Sequence, residues 1–328
     1  MTTEQGRKQV LELFRDYPII MSQGSVGDFI KREFIKGPAP EELGLSGMIY
    51  DKMGNRGLEY CWRDYTETAA RHNVIMMLMP YSARKKGIKL TNAYYIDRNI
   101  SLDNFYHCRS IVDGYPEIRN KILIGTTMGF SGDPYKPETG MAQEDAFVYN
   151  QPRAEELEES FVVHVRTGLT PSLPEAAGCG LALSKTSIPY RISLLLRKDG
   201  CLMDGTRLHD AVAYMEDLLQ DNPPMFYQGQ CTHPRNMMKC LDQSFNRTEL
   251  VRTRVLGLEG NGSVLSPEEL DNSPVIHSSP PDEWADDMMR LYTDYHFKML
   301  GGCCGTFHHH IDELAARVRD VYNKFGLD

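Results

Sequence analysis

Eight short apolar runs recur along the chain, at 17–21, 74–79, 121–126, 161–165, 191–196, 225–228, 251–258 and 296–300, each bounded by turn residues or followed by a helix-like stretch. Their apolar residues are continuous rather than alternating, which suits parallel strands covered on both faces. The intervening segments carry helical spacing. From 206 to 220, Leu208, Val212, Met215 and Leu219 fall on one face behind Thr206 as the N-cap. In the last segment Ile311, Leu314, Val318, Val321 and Phe325 point inward, leaving Asp312, Glu313, Arg317 and Asp320 outside. Strict alternation of eight strand and helix units predicts an α/β protein with a closed parallel (β/α)8 or TIM barrel, in preference to an open doubly wound sheet. With 328 residues, the chain reads as one domain over 1–328.

The balance of 36 basic against 45 acidic residues, a net charge of −9, repels phosphate backbones and anionic lipid, so no nucleic-acid partner is expected. The longest apolar run, 74–79, falls far short of the roughly 20 residues that cross a bilayer, so no membrane contact is expected. The first residues show no secretory pattern, which puts the eight cysteines in the reducing cytoplasm, as free thiols, metal ligands or reagents. Two long polar segments, 131–160 and 259–287, follow predicted strands and are expected to form lids or rim elements at the barrel's C-terminal face.

Three cysteines stand at strand ends. Cys231 follows the sixth strand in YQGQCTHP, and Cys303 with Cys304 follows the eighth in MLGGCCGT. In a barrel these positions share one face, and three sulfur ligands suit zinc with a fourth position open. The glycines at 301, 302 and 305 permit the sharp bend that lets adjacent cysteines meet one ion. Free cysteine is also a common small core residue, and that reading is taken for Cys61, Cys108, Cys179, Cys201 and Cys240, which lack such a frame.

GGCCGT after the last strand, with a glycine-x-cysteine after the sixth, resembles the zinc-dependent homocysteine S-methyltransferases, a family that includes betaine- and S-methylmethionine-using enzymes and the homocysteine module of methionine synthase. The likeness continues in QGSVGDFI at 23–30, GTTMGFSGDPY at 125–135 and CLMDGTRLHDAV at 201–212. It implies a (β/α)8 barrel and zinc as cofactor on Cys231, Cys303 and Cys304. It also implies methyl transfer from an activated donor to a thiol acceptor, with Gln23, Gly24, Arg166, Thr167 and Asn261 around the substrate. A metal-coordinated thiol is deprotonated at neutral pH, although the free group has a pKa of about 8.5.

Two positions depart from the family pattern. Gln23 stands where an aspartate grips the homocysteine ammonium, and Arg166 stands where a glutamate precedes the threonine. Two carboxylates are replaced and a cation is added. The expected acceptor is therefore homocysteine-like in its thiol but presents an anionic or neutral group toward Arg166. The competing expectation is that Arg166 faces solvent or pairs with a loop acid such as Asp133. The donor stays open among S-methylmethionine, another sulfonium, and a methylated corrinoid on a separate protein. Alternatives of other kinds are a demethylase acting on a small sulfonium or thioether, and a non-catalytic zinc or dithiol sensor using Cys303 and Cys304.

The run His308 to His310 is read as helix surface near the start of the last helix, with Thr306 or Phe307 at its boundary. His233 is a candidate for a substrate or proton-relay contact, against a loop hydrogen bond. Trp284 is read either as closing a donor pocket or as a packed aromatic, and the paired methionines at 76–77 and 288–289 as core filler.

Overall fold

Buried strands can be very short, because every side chain along them is covered on one face by helices and on the other by the barrel interior. The computed structural model describes residues 2–39, 44–82, 97–129, 133–170, 172–270, 275 and 277–328. It contains strands β1 (Ile20–Ser22), β2 (Met76–Leu78), β3 (Ile122–Ile124), β4 (Thr126–Met128), β5 (Val165–Thr167), β6 (Tyr190–Leu194), β7 (Tyr227–Thr232), β8 (Val255–Gly260) and β9 (Met299–Gly302). All pairings are parallel, in the order β3-β2-β1-β9-β8-β7-β6-β5-β4.

The two ends of that order, β3 and β4, are halves of one stretch interrupted at Gly125. The Gly125 N–H donates to the Leu78 carbonyl at 3.0 Å, and the next N–H, of Thr126, donates to the His164 carbonyl at 3.1 Å. One residue thus hands the strand from β2 to β5, and the ring closes through the chain itself. Glycine is required at the hand-over, since a Cβ there would lie 2.1 Å from His164 Nδ1. The (β/α)8 expectation holds, with the third of its eight strands broken in two.

Helices follow the strands, among them Lys52–His72, Ile100–Val112, Gln143–Glu158, Leu173–Ser184, Leu208–Leu218, Pro234–Leu241, Pro281–Tyr295 and His308–Phe325. The N-terminal helix Thr3–Asp16 has a different task. Val10 joins Ile20, Ile75, Met77 and Leu123 in a small separate apolar cluster, with Leu13 and Phe14 packed against it. Phe14 stacks on Phe226 with ring centroids 4.7 Å apart. This helix closes the N-terminal end of the barrel and leaves the other end for chemistry.

Several boundaries differ from expectation for identifiable reasons. Of 161–165 only Val165 is strand, because Phe161 is apolar for another purpose, packing outside the barrel against Phe105 at 3.9 Å. Residues 251–254 end the helix Glu249–Arg254, whose N-cap Thr248 accepts from the Val251 N–H. Thr206 is not an N-cap: Arg207 takes that position without a side-chain bond, while the Thr206 N–H donates to Asp204 Oδ1 at 2.9 Å. Phe325 is exposed, whereas Ile311, Leu314, Val318 and Val321 are buried as expected. The segment 131–160 is mainly the barrel helix Gln143–Glu158 rather than a lid, and 259–287 runs from the end of β8 into the helix Pro281–Tyr295. Positions 131–132, 271–274 and 276 of those segments lie outside the described residues.

Candidate metal centre

Cys231 lies in β7 at a break in its register with β8, where Gln230 faces Glu259 but Thr232 faces Gly260. The extra residue is the cysteine itself, and it adopts a left-handed φ of 58°. A non-glycine residue rarely takes this conformation, and a bulge of this kind re-aims the side chain at a site. Cys303 and Cys304 follow β9 in a turn tied to the end of β8. The Cys303 N–H donates to the Gly260 carbonyl at 2.7 Å, and the Cys304 carbonyl accepts from the Gly262 N–H at 2.8 Å. Gly302 leaves room for this turn, because a Cβ there would lie 2.2 Å from Thr306 Oγ1, and Gly305 completes it at φ 73°.

The result is one cluster: the Sγ atoms of Cys231, Cys303 and Cys304 all lie within 4.8 Å of one another, the sole such group of three potential ligands among the described residues. Sulfurs bound to tetrahedral zinc at about 2.3 Å would stand about 3.8 Å apart, so the cluster fits that ion with little adjustment. Cys231 is buried, Cys303 half-buried and Cys304 exposed. Hydrogen bonds from Cys303 and then Cys304 hold the Cys231 thiol well below its usual range, while Cys303 and Cys304 are pushed up by sharing that charge. The trio therefore favours a first thiolate at Cys231, which a soft cation would meet.

Two further groups reach that sulfur. Asn261 Nδ2 donates to Cys231 Sγ at 3.6 Å, and the half-buried Tyr135 hydroxyl donates to it at 3.9 Å. The negative charge of Cys231, with burial, pushes the Tyr135 hydroxyl up, so it stays a donor. Sequence reading missed Tyr135, whose only signal was its place in the GTTMGFSGDPY loop. Asn261 is itself locked, its Oδ1 accepting from the Ser263 N–H at 2.9 Å and its carbonyl from Trp284 Nε1 at 3.1 Å.

Beneath the sulfurs the barrel interior is polar. Glu259 on β8 accepts from Arg166 Nη1 with one carboxylate oxygen, and from Arg191 Nη2 at 2.9 Å and Ser22 Oγ at 3.1 Å with the other. Arg166 Nη2 also donates to Thr127 Oγ1 at 3.0 Å. The Arg166 side chain is 16% exposed and Arg191 is fully buried. Burial pulls the Arg166 guanidinium below its usual range, while the neighbouring Cys303, Tyr81 and Cys231 act in the opposite direction. The expected alternatives for Arg166 are thus corrected. It neither faces solvent nor pairs with Asp133, whose carboxylate holds Lys136 at 3.4 Å and the Tyr135 N–H at 3.0 Å. Its partner Glu259 lies within β8, one residue beyond the apolar run 251–258.

The other expected substrate positions surround this layer. Gln23 Oε1 accepts from the Met79 N–H at 2.8 Å. Gly24 is wedged so that a Cβ would lie 2.9 Å from both the Thr306 carbonyl and the Tyr65 hydroxyl. Thr167 is buried, its Oγ1 accepting from the Ser193 N–H at 2.8 Å. His233 caps its helix, accepting from the Arg235 N–H at 3.1 Å and meeting Ser279 Oγ at 3.2 Å, which is the loop hydrogen bond rather than a relay. His310 is not helix surface: it is buried, its Nε2 3.0 Å from both Ser278 Oγ and the Ser279 carbonyl. Trp284 is fully buried behind Asn261, as a packed aromatic.

A family model described as homocysteine S-methyltransferase matches residues 91–318. Three structures of the homocysteine methyltransferase MmuM from Escherichia coli, in oxidised, metallated and apo forms, superpose with TM-scores of 0.69, 0.67 and 0.65. Each is 17% identical and covers 94% of this chain and 99% of its own, a likeness of fold. No curated protein sequence matches the chain.

Proposed function

We propose that this chain, which belongs to the homocysteine S-methyltransferase family and is a thiol S-methyltransferase, works with one zinc ion held by Cys231, Cys303 and Cys304 and methylates a small homocysteine-like thiol. The observation that carries this reading is the meeting of three sulfurs from β7 and the β9 turn within 4.8 Å, at the open end of the barrel. When bound there, zinc supplies a Lewis acid with a free coordination position and lowers the pKa of a thiol that enters it.

The remaining work belongs to the protein. Asn261 and Tyr135 aim N–H and O–H dipoles at Cys231 and fix the direction of its sulfur. The backbone bonds of Cys303 and Cys304 to Gly260 and Gly262 set the other two sulfurs. Arg166 places a cation beside the thiolates, and the acceptor is oriented among Gln23, Gly24, Arg166, Thr167 and Asn261. The donor is an activated methyl compound, for which S-methylmethionine, another sulfonium and a methylated corrinoid on a separate protein are the candidates. One barrel domain over 1–328 performs the reaction in the reducing cytoplasm, where thiols serve as metal ligands rather than as disulfides. Among the described residues no helix is long and apolar enough to cross a membrane.

The test combines metal analysis of the purified protein with transfer of a labelled methyl group to homocysteine-like thiols. One zinc per chain and a labelled thioether product are expected. A metal-free protein with a reversible Cys303–Cys304 disulfide would sink the reading in favour of a dithiol sensor, and label leaving a thioether would make the enzyme a demethylase.

A further inference from the structure

We propose that the acceptor carries a carboxylate or sulfonate and no ammonium on the arm attached to its thiol, with Arg166, backed by Arg191, as the residue that selects it. This deepens the zinc-thiol reading above and rests on it. The case begins with strand register: Arg166 on β5 lies directly opposite Arg191 on β6. Like charges facing across a strand pair are destabilising, and here Arg191 is fully buried and the Arg166 side chain only 16% exposed. One carboxylate, Glu259, answers two guanidinium groups, so the layer beneath the sulfurs keeps an excess of one positive charge.

No acceptor in this set is left for an ammonium. The Glu259 oxygens are taken by Arg166, Arg191 and Ser22, and Gln23 Oε1 by the Met79 N–H. The Nε atoms of Arg166 and Arg191 are both buried and without a hydrogen-bond partner, whereas the buried acceptors left over on β7, Gln228 Oε1 and Gln230 Oε1, are uncharged. His164 is fully buried, and burial together with the two arginines holds it well below its usual range, so it is neutral and adds no anion. A homocysteine ammonium would meet the excess positive charge here and no uncommitted carboxylate. An anionic arm would meet charge-assisted donors in a poorly hydrated layer, where such bonds are strongest.

Thiol binding tests this without any methyl donor. Cobalt(II) replaces zinc in the purified protein, and the sulfur-to-cobalt absorption band is titrated with homocysteine, with its deaminated analogue 4-mercaptobutyrate, and with 2-mercaptoethanesulfonate. At least about tenfold tighter binding of one of the two ammonium-free anions than of homocysteine is expected. Arg166→Gln should reduce that preference to within about threefold, and Arg166→Glu should reverse it. Equal or tighter binding of homocysteine by the unaltered protein overturns the proposal while leaving the metal site intact, as does an undiminished preference in a folded Arg166→Gln protein. If no cobalt binds, the zinc reading itself fails and the proposal falls with it.

Discussion

A thiolate in a protein is only as well placed as the groups that donate to it, which makes Cys231, with its left-handed backbone, the most demanding position of the three. Replacing Cys303 with serine should abolish stoichiometric zinc, read by metal analysis, and lower methyl transfer by roughly 100-fold or more. Asn261→Ala keeps all three sulfurs but removes the donor 3.6 Å from Cys231 Sγ. It should weaken zinc about 10- to 100-fold in a chelator competition, and an unchanged affinity would show the contact to be incidental. Gly302→Ala forces a Cβ to within 2.2 Å of Thr306 Oγ1, a cost of roughly 1–3 kcal/mol in denaturant unfolding. At this scale the sequence was informative about sulfur and poor about charge. The glycine frame exposed the cysteine pair, because adjacent cysteines cannot share an ion without it. Glu259 and Arg191 went unread as site residues, since an inward direction depends on a register that composition does not reveal.

Strands as short as Met76–Leu78 gain little from local propensity and are held by the layers on either side. That is why apolar runs located eight strands yet misjudged their limits: Phe161 is apolar for a helix outside the barrel, and Val251 for the helix Glu249–Arg254. The bulge that aims Cys231 left no mark either, because nothing in YQGQCTHP distinguishes a regular strand from one with an inserted residue. The N-terminal helix offers a separate test of how the barrel is closed. Phe226 is fully buried and stacked on Phe14 at the end away from the sulfurs. Phe226→Ala should lower unfolding free energy by about 3–5 kcal/mol and leave zinc content at one per chain. Loss of metal in the folded variant would show that the two ends are coupled.

The molecule as a whole should tolerate acid poorly. His310, buried against Trp284 and bonded to Ser278 and Ser279, is pushed down by burial to about 4. Unfolded chain takes up this proton near pH 6.5 while the folded protein refuses it until about pH 4. Stability therefore rises with pH across that window, is fully present above it, and is lost on acidification by on the order of 1–3 kcal/mol from this residue. Unfolding midpoints at pH 7, 5.5 and 4.5 should fall more steeply for the natural protein than for His310→Gln, and parallel curves would refute the assignment. The barrel architecture was readable from alternation alone, whereas the manner of its closure was not. At Gly125 the wall changes partners, so Ile122–Ile124 is bonded only toward β2 and Thr126–Met128 only toward β5. A 390 Å³ cavity lined by Pro80, Gly125, Thr126 and Phe161 lies against this seam. Solvent in that cavity therefore reaches the wall at its weakest point, away from the mouth. In a deuterium pulse the amides of residues 126–128 should exchange ahead of the equally buried ones in β7 and β8, like the one stave through which a sound cask weeps.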